Sequence, residues 1–477
     1  MGKKPRKRIV FCFDGTTNKL ETDTPTNVAI TASCIRNSSG DLPQIVYYDE
    51  GVGVRKTDFA GMALGQGLYQ NVIEAYKFLA FNHEPHDEIF IFGFSRGAYT
   101  ARSFAGLIHN VGVVSSCFAD KIAVAASLYQ QRTSSNPMFF DELKKFRREF
   151  AFETCANAED LEERKNAIDG FDPEVTPIVT VKYIGVWDTV KTVGSALLQG
   201  DKDGDGEADD AEFHDHNLYP TVHMARHAVA IDERRKKFDV TLWEGVDKLN
   251  KDRGFEPDNP ARPYQQVWFP GTHGSVGGGG DIRGQSDEAL DWVLEGAKAA
   301  GLSLDTSAMS KTFNLRPDVL VQNDNISDPK LTPISIAMRF MPTHDRKGPK
   351  AIHEVSQAAI VRWGAPANLL PEAKVYRPKT LEPVAPKVSE AAKGLEPWMY
   401  ATRGTYARAD EKIADTVQAE GQKFRRYRIS AGQTLEKIAR TELGSVDRAA
   451  EILALNRTTI LDPDRYYAGQ VINLPTS

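Results

Sequence analysis

The amino-acid sequence predicts an α/β protein, a mostly parallel sheet with helices on both faces, followed by a small C-terminal βααβ unit. Three observations support this reading. Apolar runs of strand length recur through residues 1–365, helical patterns separate them, and a proline-rich stretch then divides this region from a compact final one. Unbroken apolar runs suit strands buried on both sides, the condition of parallel strands whose crossover helices cover the sheet.

Ile9–Phe13, Ile45–Tyr48, Ile89–Phe92, Ile178–Val186 and Gln266–Phe269 are the strand runs, and Gly67–Asn82 and Ala98–Asn110 are the clearest helical patterns. His223 and His227 stand four apart in "HMARHAVAIDERR", a spacing that suits one face of a helix. From Pro371 to Pro397 come five prolines, several Lys/Glu pairs and little periodicity. Residues 366–423 therefore read as a semi-rigid linker, with room for one short helix in Met399–Gly421. In the final module, 424–477, "FRRYRI" and "QVINL" make two strands. Between them "TLEKIARTEL" and "SVDRAAEILALN" make two helices, with Ser445 as an N-cap and Asn456 as a C-terminal stop. That order closes a small two-stranded unit.

A net charge of -6 argues against a chain that tracks phosphates, which carries a surplus of Lys and Arg, so no nucleic-acid partner is expected. Cys12, Cys34, Cys117 and Cys155 are scattered without a C-x-x-C pair, which predicts reduced thiols and synthesis in the cytoplasm. The basic start is followed by only five apolar residues before Asp14, too few for a signal-peptide core. No apolar run is long enough to span a bilayer as a helix.

In "IFIFGFSRGAYTAR", residues 89–102, Gly93, Ser95 and Gly97 fit G-x-S-x-G, the sharp strand-to-helix turn that exposes a serine hydroxyl to a base. Three fixed letters are weak alone, because a chain this long meets them by accident on the order of once in six or seven trials. Context strengthens them: "DEIFIF" before the serine reads as a strand and "RGAYTARSFAGLI" after it as a helix. A serine hydroxyl needs a histidine to take its proton, and the histidine needs an acid to fix its tautomer.

Asp188 directly follows the strand "PIVTVKYIGVW" and is the candidate acid; the plainer alternative is a cap on "TVKTVGSALL". His273 lies four residues past a strand end in the glycine-rich "QVWFPGTHGSVGGGG" and is the candidate base. His83, His86, His214 and His216 read as loop or surface residues, and His344 and His353 are the runners-up. One oxyanion donor is the Arg96 N–H, just after the nucleophile; Gly15 and Thr16 of "DGTTN" offer the second, with Asp14 bracing that loop. The same stretch is close to the D-x-D-G-T of aspartyl phosphatases, but Cys12 stands where their nucleophilic carboxylate belongs, which removes that reaction.

Residues Asp201–Glu212, "DKDGDGEADDAE", fit D-x-[DN]-x-[DN]-G-x5-E at every fixed position. Chance produces such a match on the order of once per thousand chains of this length. Asp201, Asp203 and Asp205 would supply carboxylate oxygens, Glu207 its carbonyl, Asp209 a water-mediated contact and Glu212 a bidentate carboxylate, with Gly206 at the turn. The expectation is one Ca2+ ordering the insertion between Asp188 and His273, in an isolated loop, since Ala208 and "TVGSALLQG" depart from a paired sensor hand. Ala196, Leu197 and Leu198 suit either an apolar lid or a buried segment.

The blocks "RIVFCFDGTTN", "YYDEGVGV", "DEIFIFGFSRGAYTAR", "YIGVWDTV", "HAVAIDERR" and "VWFPGTHGSVGGG" together resemble the α/β-hydrolase catalytic domain of type VI secretion lipase effectors, over roughly the first 365 residues. The resemblance implies an α/β-hydrolase fold, phospholipase activity on glycerophospholipids at a membrane surface, and Ser95, Asp188 and His273 as triad. It also implies export without a signal peptide, a secretion spike and an immunity protein as partners, and action in the periplasm of a target cell. The segments "YRISAGQTLEKIA", "ILALN" and "DPDRYYAGQVINLP" resemble the LysM family, which binds N-acetylglucosamine-containing glycans, chiefly peptidoglycan. Two other readings stay open: a wall-binding scaffold whose hydrolase domain is silent, and an esterase for a non-lipid acyl ester.

Overall fold

The computed structural model describes residues 6–15, 24–51, 66–133, 137–190, 217–280, 283–305, 342–367, 370, 374–393, 418–419, 422–428, 434–456 and 471–475. Among these, one sheet holds β1 (Arg8–Phe13), β2 (Ser38–Ser39), β3 (Leu42–Asp49), β4 (Glu88–Phe94), β5 (Thr180–Trp187), β6 (Val222–Ala230) and β7 (Tyr264–Phe269). Their order is β2-β3-β1-β4-β5-β6-β7. The pairs β1/β3, β1/β4, β4/β5 and β5/β6 are parallel, while β2 turns back antiparallel on β3. Backbone bonds from Ala225 to Pro263 and from Ile231 to Phe269 keep one offset, so β6 and β7 also run parallel. The fold class is α/β, as the apolar runs imply.

The helices of this region are α1 (Asn27–Cys34), α2 (Gln66–Asn82), α3 (Arg96–Val111), α4 (Ile122–Gln130), α5 (Pro137–Phe150), α6 (Ala158–Ala167), α7 (Val246–Asp252), α8 (His273–Gly277) and α9 (Gly284–Ala299). Two compact units divide the chain: residues 1–229, 235–266 and 292–304 form the first, and 230–234, 267–291 and 305–477 the second.

In the first unit, alternate residues of β1 serve opposite faces of the sheet. Ile9, Phe11 and Phe13 are buried among helices, and the Phe11 ring meets Phe104 of α3 at 4.6 Å and Phe78 of α2 at 6.0 Å. Each such aromatic, fully buried, contributes about 1.5–3 kcal/mol relative to exposure. The opposite face is covered by the end of α9, where the Tyr183 hydroxyl donates to Val293 O at 2.6 Å. A side chain at Gly185 would run into Val293 there, so only glycine lets that helix sit so close. Both faces of the central strands are thus covered, while β3 stays partly open at Val46, and the strand ends are left for chemistry.

Three expectations are corrected here. "HMARHAVA" forms strand β6, not a helix, and His227 is fully buried within it. A spacing of four keeps two residues on one face in a strand as well as in a helix, so the pattern could not discriminate. Residues 374–393, expected as linker, are folded: Leu381 and Val388 are fully buried, in a 3-10 turn Lys379–Val384 and a helix Ala385–Ala391. Their anchors are a bond from Trp363 Nε1 to Ser389 Oγ at 3.0 Å and one from Arg377 to Trp363 O at 2.7 Å. Pro386 lies in the first turn of that helix, where no backbone N–H is needed, so its presence starts a helix instead of breaking one.

The third correction concerns the final module, which has three strands instead of two. Strand β9 (Gln422–Arg428), helices Leu435–Leu443 and Ala449–Leu455, and β10 (Val471–Pro475) keep the βααβ order, and β8 (Gln418–Ala419) adds an edge. Leu435, Ile438, Ile452, Ile472 and Leu474 make its core. Ser445 caps the 3-10 turn Val446–Arg448 that leads into the second helix. Asn456 does more than end that helix: its amide donates to Ile452 O and Asn473 O and accepts from Asn473 N–H, each at 2.7 Å, which pins β10 to the helix. All four cysteines are free thiols, and among the described residues no single helix is long and apolar enough to cross a membrane.

Candidate active site

Ser95 stands between β4 and α3, at φ +58°, and its side chain makes no cap bond to the helix it begins. Among the described residues only His86, Ser95 and Asp188 are non-glycine residues at positive φ. Such backbone costs on the order of 1–3 kcal/mol and persists where the surroundings enforce it. The glycines enforce it here. A Cβ on Gly93 would meet Gly97 O and the Ala98 backbone, and a Cβ on Gly97 would strike the Phe13 and Asp14 carbonyls. The G-x-S-x-G spacing is therefore a packing requirement of the turn itself.

Asp188 follows β5, fully buried, at φ +36°. Register pairs Phe94 with Trp187, so Ser95 and Asp188 leave neighbouring parallel strands side by side. Two backbone bonds tie them: Ser95 N–H donates to Trp187 O at 3.1 Å and Val190 N–H to Ser95 O at 3.5 Å. On the other side Asp188 N–H donates to Ala228 O of β6 at 2.7 Å.

His227 is engaged at both ring nitrogens. Thr189 N–H donates to its Nε2 at 3.2 Å, which leaves the proton on Nδ1, 2.9 Å from Gln266 Oε1. This imidazole braces the Asp188 loop in a neutral tautomer and has no proton-accepting nitrogen left over.

The loop after β1 is tied down by Asp14. Its carboxylate accepts from Thr26 Oγ1 at 2.6 Å, Tyr48 OH at 2.7 Å and Gly15 N–H at 2.6 Å. Asp14 is thus the brace expected from the sequence, but the Gly15 amide expected as an oxyanion donor is committed to that carboxylate. The Arg96 N–H belongs to the first turn of α3, whose amides have no acceptor within the helix. Burial pushes the Arg96 guanidinium down to about 10, so it stays cationic at neutral pH. Nearby, burial raises the Asp49 carboxyl to about 6. Cys12 lies fully buried, and burial raises its thiol well above the ordinary value, which makes it inert.

His273 belongs to the second unit. It opens α8, four residues past β7, and is buried. The turn before it depends on Gly271 at φ +110°, where a Cβ would collide with Ser275 and Gln285. Gly271 N–H donates to Asp232 Oδ2 at 2.6 Å, and Asp232 N–H returns a bond to Gly271 O at 3.0 Å. The His273 N–H, unpaired within its helix, donates to Glu233 Oε2 at 3.2 Å. Asp232 and Glu233 were missed as site residues; the block "AIDERR" was visible, but not its partners some forty residues on.

Of the other histidines, His83 lies in the loop after α2, as read, but is buried there, and burial pushes it down to about 3. His86 is half-buried, with Nε2 3.0 Å from Glu174 O. His344 and His353 are half-buried. Thr16, His214, His216, the apolar segment Ala196–Leu198 and the acidic loop Asp201–Glu212 lie outside the described residues.

Residues 7–296 match the family model described as the catalytic domain of Tle1-like type VI secretion phospholipase effectors. An uncharacterized protein of Saccharomyces cerevisiae is 28% identical over 249 residues, 49% of this chain and 32% of the yeast protein. A crystal structure of an uncharacterized protein from Pseudomonas aeruginosa aligns with a TM-score of 0.35 and 18% identity, over 62% of this chain and 46% of that one. The Tle1 effector bound to the VgrG spike of a type VI system aligns with a TM-score of 0.28 and 17% identity, over 58% and 52%. The chain therefore spans about a third of the yeast relative and about half of each solved chain.

Proposed function

This chain belongs to the family of Tle1-like type VI secretion phospholipase effectors, and from that premise we propose that it is a serine hydrolase cleaving acyl esters of glycerophospholipids. The observation that carries the reading is the strained Ser95 elbow, bonded through its backbone to the strand end that bears the buried Asp188.

In the proposed reaction the His273 imidazole takes the Ser95 proton as Oγ bonds to the acyl carbon. The carbonyl becomes an oxyanion facing the Arg96 N–H, with Thr16, or Gly15 once released from Asp14, as second donor. The ester C–O bond then breaks, and the imidazolium returns the proton to the leaving lysophospholipid oxygen. Water, deprotonated by the same imidazole, releases the fatty acid and restores the serine. Asp188 holds the imidazole in the tautomer that both steps need.

The finer attributes are proposals of the same kind. Asp201, Asp203, Asp205, Glu207, Asp209 and Glu212 would hold a Ca2+ that organises the insertion following Asp188. The βααβ order and the Asn456 pin support a LysM-type module that tethers the enzyme to peptidoglycan, beside its lipid surface. Carriage on a secretion spike and action in a target periplasm, opposed by an immunity protein, complete the reading. Mass spectrometry of products from mixed-phospholipid liposomes tests it: free fatty acid and lysophospholipid from wild type, and neither from Ser95→Ala. Equal product from both, or cleavage of acetylated wall fragments alone, would overturn it.

A further inference from the structure

We infer that Tyr376, acting through Asp232, is a positioning residue for His273, so that the catalytic machinery extends past the family-matched stretch into the segment expected as linker. The inference rests on His273 being the base. Its geometry lies wholly within the second unit. The Tyr376 hydroxyl donates to Asp232 Oδ2 at 2.7 Å, the same oxygen that accepts the Gly271 N–H at 2.6 Å. One carboxylate oxygen thus joins the folded segment 374–393 to the turn that precedes His273. Its neighbour Glu233 takes the His273 N–H at 3.2 Å and so fixes the first residue of α8.

Several features make this a built arrangement. Tyr376, Glu233 and His273 are all buried. The Tyr376 ring packs under the buried Arg362 guanidinium, 5.1 Å from its centroid. Collisions at Gly271 bar the turn from carrying a side chain. A charge-assisted bond from a phenol to a carboxylate is among the stronger ones available to a neutral donor. Its effect on chemistry comes through placement: displacing a catalytic group by about 1 Å costs up to about a hundredfold in rate.

Tyr376→Phe keeps the ring and its packing and removes only the hydroxyl. With a short-chain activated ester, we expect kcat about tenfold lower and KM within about twofold of wild type. Introduced into His273→Ala, the same change should cost nothing further, because it acts only through the imidazole. Unchanged kcat in the single variant, or an equal loss in both backgrounds, would overturn the inference in favour of a structural role. Wild-type activity in His273→Ala would instead remove the base reading, and this inference with it. Should Tyr376→Phe not fold, Asp232→Asn and Asp232→Ala carry the test. Asn keeps an acceptor oxygen for the Gly271 N–H and the Tyr376 hydroxyl and should hold kcat within about threefold, while Ala loses about tenfold; equal kinetics in the two would overturn it.

Discussion

Ser95 and Asp188 are placed by main chain, whereas the turn that carries His273 adds side-chain acceptors to its main-chain bonds. The first two leave adjacent parallel strands, share backbone hydrogen bonds and hold strained φ values, enforced at Ser95 by neighbouring glycines. The turn before His273 hangs on Asp232, Glu233 and Tyr376. Main-chain placement tolerates substitution of most surrounding side chains but no added Cβ at the glycines. Side-chain placement can be weakened one hydrogen bond at a time, so the second region should yield graded variants where the first yields all-or-none ones.

The largest effects should come from the first region. Ser95→Ala and Asp188→Asn should each lower kcat about ten-thousandfold or more, with unaltered circular dichroism. Retention of a tenth of the activity by either would show that the buried pair is structural. Next, Gly97→Ala should both abolish hydrolysis and cost about 1–3 kcal/mol in urea unfolding, because the new methyl meets the Phe13 and Asp14 carbonyls. A stable, active Gly97→Ala protein would contradict main-chain placement. The tenfold losses expected around Tyr376 and Asp232 fall below these.

A smaller effect separates the regions by pH. Burial holds His83 down to about 3 and His109 down to about 4, both in the first unit. The unfolded chain binds these protons near pH 6.5 and the folded chain does not, so their contribution is complete above about 6.5 and is lost as pH falls toward 3. Each pKa unit corresponds to about 1.4 kcal/mol. Melting temperature should therefore drop with acid below pH 6.5, and His83→Gln should flatten that slope; an unchanged slope would show that His83 protonates freely in the fold. The smallest effect on chemistry is expected from Asn456→Ala, which loosens β10 by about 1–3 kcal/mol yet should leave cleavage of detergent-dispersed lipid unchanged. A matching loss of cleavage would tie the final module to catalysis.

Legibility from the sequence follows the same division. The elbow could be read because its requirement is local: two glycines, two residues either side of a serine, between a strand and a helix. The place of Asp188 at a strand end could be read because the apolar run before it is unmistakable. Beyond such local rules the reading failed in identifiable ways. A spacing of four in "HMARH" fits both periods, and only pairing with β5 and β7 decides for strand. Proline counts suggested a linker where Pro386 occupies a helix first turn and Leu381 and Val388 supply buried contacts the count ignores. The bond that the Gly15 amide makes to the preceding carboxylate was likewise out of view, because no sequence shows that carboxylate folding back. Asp232 and Glu233 acquire their roles only from residues about forty positions away, which no local window contains.

The central claim is that Ser95 is a nucleophile activated by His273. Labelling with a fluorophosphonate, which phosphonylates an activated serine with loss of fluoride, tests it most directly when followed by peptide mass mapping. The account predicts one adduct, on Ser95, formed rapidly in wild type and slowed by several orders of magnitude in His273→Ala. Labelling of His273→Ala at the wild-type rate, or an adduct on another residue, would contradict it.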